Sequence, residues 1–187
     1  MLKFLPLALA FAAQVAQLPQ APPKLFSADA DAKAKIAATI EMAATDGIRV
    51  LIVWGANDDP LSLSFGDARK TPEIARAPFF SDEYKIVHVD VGHLDKNVDL
   101  AKSYGATLGP GALPALTILD DHGRPVAQAT AADLASDDRH AIAPAKLASF
   151  LKAHQAPQPD DVARFDAGLK EAKTTGKYVF LWWSAPW

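Results

Sequence analysis

The chain has 187 residues, half of them hydrophobic, with 19 Lys/Arg against 22 Asp/Glu and a net charge of −3. That balance excludes a collagen-like or grossly disordered chain. The charges are scattered with no basic stripe, which argues against nucleic acid as a partner. Cysteine is absent, so the chain supplies no disulfide, no thiolate metal ligand and no cysteine nucleophile.

Taken in chain order, the first expectation is a signal peptide over residues 1–17. Lys3 lies in a short positive n-region, an apolar run extends from Phe4 to Ala13, and Ala10 and Ala12 give the small-x-small pattern of a cleavage site. The run is about half of the ~20 residues needed to cross a bilayer, so no stable membrane span is expected. The implied location is periplasmic or secreted. Residues 18–26, with Pro19, Pro22 and Pro23, are expected to form an extended tether.

Residues 27–46 lack Pro and Gly, place Ile36, Ile40 and Ala43 on one face and run into Gly47, the pattern of a helix with its stop. Residues 49–53 form a continuous apolar run, as in a strand covered on both faces. Thr71-Pro72-Glu73 signals a short helix start. Residues 84–91 predict a second strand and residues 97–104, before Gly105, a short helix. Residues 115–119, the turn at 120–123 and residues 126–130 predict a hairpin. Pro144, Leu147, Phe150 and Leu151 predict an amphipathic helix ending at His154. The order is α-β-α-β-α-β-β-α, an α/β domain over residues 27–154. Residues 155–159, Gln-Ala-Pro-Gln-Pro, are a linker by composition.

Four features of this layout resemble the thioredoxin-like superfamily. A strand runs into Trp54-Gly55-Ala56-Asn57; the next strand ends at Asp90; Leu100-Ala101 is followed by Tyr104-Gly105; and Leu113-Pro114-Ala115-Leu116 precedes the hairpin. The resemblance implies a central mixed β-sheet flanked by helices, a cis proline at Pro114, and an ancestry in thiol-disulfide exchange. It places Asp59 and Ser62 at the positions of the two redox cysteines. A carboxylate cannot form a mixed disulfide and a serine cannot resolve one, so the chain is expected to be redox-inert, with no catalytic residue and no cofactor. What the family's groove would retain is binding of an extended peptide or protein client, through Asp58, Pro60, Leu61, Leu113 and Pro114.

Residues 160–187 repeat the opening of the domain. At an offset of 129 positions Gly176 matches Gly47, Val179 matches Val50, Trp183 matches Trp54, and Phe165, Leu169 and Ala172 match Ile36, Ile40 and Ala43. The expectation is the N-terminal fragment of a second, incomplete thioredoxin-like module: a helix, then a strand over residues 178–183 able to self-associate through Tyr178, Phe180, Trp182 and Trp183. The alternative reading is an inactive truncated product of a longer tandem thioredoxin gene.

Among other residues, Asp59 also reads as a plain helix N-cap. The spacing of Asp58, Asp59, Asp90 and His93 matches no ligand motif, so no metal is expected. His88, between two valines of a strand, reads as a packed or edge histidine, and Ser62 lacks the context of a nucleophile elbow.

Overall fold

The computed structural model describes residues 24–27, 31–77, 80, 83–157 and 160–182. The expected signal peptide, most of the expected tether, Pro159 and Trp183 lie outside the described residues.

The elements in chain order are α1 (Ala32–Asp46), β1 (Arg49–Gly55), α2 (Pro60–Ala68), α3 (Pro72–Ala75), β2 (Tyr84–Asp90), α4 (Val98–Ser103), β3 (Ala115–Leu119), β4 (Pro125–Ala129), α5 (Ala131–Leu134), α6 (Pro144–Ala153) and α7 (Asp161–Thr175). The strands form one mixed sheet in the order β2-β1-β3-β4. β1 runs parallel to β2 and antiparallel to β3, and β3 pairs antiparallel with β4. This is an α/β sheet flanked by helices.

Alternation along β1 explains why both faces need cover. Leu51 and Val53 point to one face, where they pack with Phe65 of α2, Ile74 of α3 and Leu147 and Leu151 of α6. Val50, Ile52 and Trp54 point to the other, against Ile36 and Ala43 of α1 and Ala101 of α4. Residues 50–55 are all buried, as a central strand between two helical layers requires. The Trp54 Nε1–H donates to Thr117 Oγ1 at 3.0 Å inside the second layer, so the one polar group of each side chain satisfies the other.

Three expectations need correction. Phe26, expected in the tether, is fully buried in the core; an apolar Leu25-Phe26 pair at the end of a proline-rich run has more to gain by docking than by staying in water. Among the described residues, α2 and α3 both lie between β1 and β2 where the element order contained one helix, and α5 was not anticipated. Tyr178–Trp182 forms no strand, because no neighbouring strand among the described residues offers it a ladder.

α7 nevertheless resembles α1 in backbone geometry. Asp31 caps α1 by accepting the Ala34 N–H, and Asp160 caps α7 by accepting the Ala163 N–H. Both helices have 15 residues. Both end in a left-handed glycine, Gly47 at φ 68° and Gly176 at φ 69°, whose N–H returns to the carbonyl of Ala43 or Ala172. Ile48 and Lys177 donate to those same two carbonyls. α1 buries Ala32, Ile36, Thr39 and Ala43, whereas α7 buries none of its residues.

Candidate functional site

The site grows out of the end of β1. After Gly55 the chain turns through Asn57 and Asp58, and Asp59 adopts extended backbone (φ −93°, ψ 115°) as the N-cap of α2. Its Oδ2 accepts the Ser62 N–H at 2.7 Å, and its carbonyl accepts the Leu63 N–H at 3.1 Å. Pro60 follows at the helix start, where a missing N–H costs nothing. A carboxylate there faces the positive end of the helix, in the position a redox thiolate would hold by the resemblance.

Ser62 stands on the first turn and is fully buried. Its Oγ has no hydrogen-bond partner among the described residues. Around it the packing is closed: a Cβ on Gly55 would lie 2.7 Å from Ser62 Oγ and 2.5 Å from Phe26 Cζ. The hydroxyl is enclosed by Gly55 and the Phe26 ring. Pro60 is exposed and Leu61 half-buried. The Leu61 carbonyl accepts the Ser64 hydroxyl at 2.7 Å, and that hydroxyl oxygen takes the Ile142 N–H at 2.9 Å, tying α2 to the approach of α6.

Leu113 and Pro114 immediately precede β3, and the peptide bond between them is cis. The β1–β3 register pairs Trp54 with Ala115, which sets Pro114 level with Gly55. Pro114 therefore lies at the same end of the sheet as the turn that delivers Asp58–Leu61. Pro114 is buried, and Leu113 packs with the Trp54 layer.

Asp58, Asp90 and His93 meet in a polar cleft at the carboxyl ends of β1 and β2, lined also by Lys24, Asn57 and Lys96. Asp58 Oδ2 pairs with His93 Nε2 at 2.8 Å. Both side chains are largely exposed, so the pair contributes little to stability. Asp90 is buried and already occupied: Oδ1 accepts the Gly92 N–H, and Oδ2 accepts Lys96 Nζ at 3.2 Å. No group of three ligating side chains among the described residues could hold a metal ion. Asp59 does not line this cleft.

One residue that matters here, Asn57, escaped sequence reasoning, whereas His88 is packed, as its place between two valines led us to expect. The Asn57 carboxamide binds the backbone of Phe26 at both groups, Oδ1 accepting the Phe26 N–H at 3.1 Å and Nδ2 donating to the Phe26 carbonyl at 2.6 Å. His88, on β2, is packed edge-on against Phe26 and Phe65, with ring centroids 5.7 and 6.1 Å away. Arg69 Nη1 lies 3.5 Å from its Nε2. Burial, then the Arg69 and Lys35 charges, push the His88 pKa down to about 4, and burial also lowers that of Arg69. Nothing in sequence says which backbone the Asn57 side-chain amide will grip 31 residues away.

No family model matches the chain, and no curated protein matches it. Among solved structures, the disulphide isomerase from Xylella fastidiosa Temecula1 superposes with a TM-score of 0.62 at 18% identity, covering 71% of this chain and 98% of that one. Trxlp from Edwardsiella tarda EIB202 gives 0.42 at 18% identity, over 61% and 91% of the two chains. DsbH oxidoreductase gives 0.40 at 16% identity, over 78% and 96%. The first of these establishes the fold: a thioredoxin-like mixed sheet flanked by helices.

Proposed function

We propose that this chain is an exported protein of thiol-disulfide exchange descent that performs no thiol chemistry itself and binds extended polypeptide at the groove between Asp58–Leu61 and Leu113–Pro114. The observation that carries the reading is Asp59. In a thioredoxin-like fold with no cysteine, a carboxylate occupies the α2 N-cap and takes the Ser62 N–H, so the helix end is satisfied without a thiolate. A carboxylate stands where the resemblance implies a thiolate, and the cis Leu113–Pro114 bond lies at the same end of the sheet. Export is supported by the residue 1–17 pattern; no helix among the described residues is long and apolar enough to cross a membrane.

The experiment has two readouts. The protein should fail to accelerate dithiothreitol-driven reduction of insulin. A carboxymethylated, unfolded polypeptide should shift backbone NMR resonances of Asp58, Leu61 and Leu113 on titration. Turnover of insulin, or shifts confined to other surfaces, would overturn the corresponding half of the reading.

The matched caps of α1 and α7 favour a tandem organisation, with residues 160–182 repeating the first element of the domain. Tyr178 is fully exposed, and Phe180 and Trp182 are 82% and 79% exposed. Self-association through this segment is part of the proposal, and sedimentation across a concentration series tests it.

A further inference from the structure

We infer that two copies of this chain join through residues 178–182, each copy's segment pairing antiparallel with the same segment of the other about a two-fold axis at Phe180. The inference rests on the self-association proposed above and adds to it the partner, the register and the residue on the axis. Its ground is the order of the side chains. Tyr178-Val179-Phe180-Leu181-Trp182 alternates aromatic and aliphatic, and its classes run in the same order from either end. A two-fold interface has to be self-complementary, because each contact is made twice. With Phe180 opposite itself in an antiparallel pair, Tyr178 stands opposite Trp182 and Val179 opposite Leu181. Every aromatic side chain then lies on one face and every aliphatic one on the other, with like beside like across the strands.

Exposure divides along the same alternation. At the offset of 129 positions Val179 and Leu181 correspond to Val50 and Ile52, which β1 turns towards α1, and they are only 37% and 51% exposed. Phe180 and Trp182 correspond to Leu51 and Val53, which meet the opposite helical layer in the domain, and with Tyr178 they are left nearly bare. Aromatic side chains present about 150–250 Å² each. Three from each of two copies therefore bring roughly 900–1,500 Å² to the contact, which reaches the ~1,000 Å² that a specific interface needs. Neither the faces nor the edges of the four-stranded sheet offer the segment a better partner. Both faces are already covered by helices. Of the two edge strands, β4 has five residues and opens with Pro125, which has no N–H for a ladder. β2 carries Lys85, ion-paired to Asp46 at 2.8 Å, and a lysine on an edge opposes the addition of a strand.

The absence of cysteine makes the register directly readable. In Phe180→Cys protein the two new thiols face each other across the axis, with Cα atoms ~4.5–5.5 Å apart, within reach of a disulfide. In Tyr178→Cys protein they stand about 14 Å apart along the strands and should not join. Mild oxidation and non-reducing electrophoresis should therefore give a covalent dimer of Phe180→Cys and leave Tyr178→Cys monomeric. An equal mixture of Tyr178→Cys and Trp182→Cys, which keeps Phe180, should give a cross-linked heterodimer, so the register is still read if Phe180→Cys associates poorly. Sedimentation of the wild-type chain should show a monomer–dimer equilibrium. Phe180→Asp, which sets like charges directly opposite each other, should weaken that equilibrium roughly tenfold or more. A wild-type chain that stays monomeric at every concentration overturns both this inference and the self-association reading. A dimer that cross-links no better through 180, or between 178 and 182, than through 178 alone overturns the inference and leaves the self-association reading standing.

Discussion

The Asp59 carboxylate and the Ser62 backbone are joined by a 2.7 Å hydrogen bond across the first turn of α2, and the Ser62 side chain of that same turn has no partner among the described residues. One residue completes the helix end and the other leaves a polar atom stranded three positions later. Substitutions at the two should therefore act in opposite directions.

Asp59→Ala removes the cap and should cost about 1 kcal/mol of stability, within the usual 0.5–2 kcal/mol range for N-caps, while Asp59→Ser should retain most of it. Urea unfolding of the three proteins at pH 7 measures this. Equal midpoints for Ala and wild type would show that the cap contributes nothing.

Ser62→Ala removes a buried hydroxyl that bonds to nothing and should be neutral or stabilising by up to about 1 kcal/mol. A clear loss of stability would mean that the hydroxyl has a partner after all. In the same frame, Asp59→Cys combined with Ser62→Cys puts thiols at the N-cap and on the first turn. The pair should oxidise to a disulfide that dithiothreitol reverses, read by the mass of the alkylated protein. A folded double variant in which no disulfide forms would contradict the alignment of this loop with a redox motif.

His88 provides the pH dependence. Its pKa is depressed to about 4 in the fold against ~6.5 in an unfolded chain. Above pH 6.5 both states hold the neutral ring and His88 has no effect. As pH falls from 6.5 towards 4 the unfolded state binds a proton that the folded state refuses, so stability falls across that window. The loss attributable to His88 approaches 3 kcal/mol in order of magnitude at the lower end. Comparing wild type with His88→Leu at pH 7 and pH 4 isolates this share, since all other groups titrate alike in both. An unchanged difference between the two proteins at the two pH values would refute it.

Limited trypsin digestion should cut after Arg164, Lys170, Lys173 or Lys177 well before it cuts at Arg49 or Lys85. α7 buries none of its residues, whereas β1 and β2 are pinned by the sheet and both helical layers, and protease access follows local opening. Equal protection of the two regions would mean that α7 is held by contacts as strong as those of the sheet.

Much of this fold was legible in the sequence because burial leaves a direct trace. The run from Val50 to Val53 is apolar without interruption since both its faces are covered, and the β3–β4 pair shows through its turn at 120–123. Asp59 was legible as a helix cap, since Asp before a Pro-led helix start is a favoured N-cap. α2 was hard to place as an element because Pro60, Ser62, Ser64 and Gly66 break the apolar periodicity, and its stability comes from the cap and from Phe65 in the core. Phe26 and Asn57 were illegible for a different reason. Their bond is a meeting of a side chain with a distant backbone, and such a contact has no period or spacing to betray it. The pairing of Asp58 with His93 was out of reach in the same way: proximity at the ends of two parallel strands is a product of topology.

Gly55, Phe26 and Ser62 share a single volume, since the place of a Gly55 Cβ is already taken by Phe26 Cζ and Ser62 Oγ. That makes the three positions one unit of inheritance. A side chain at 55 meets both the ring and the Ser62 hydroxyl, so Gly55→Ala should be costly by itself and become tolerable once position 26 is small and the Ser62 Oγ has turned aside. A lineage could exchange the ring for a methyl on the strand most easily in that order, with positions 26 and 62 yielding first. The history of this end of the sheet is thus constrained in sequence as well as in space.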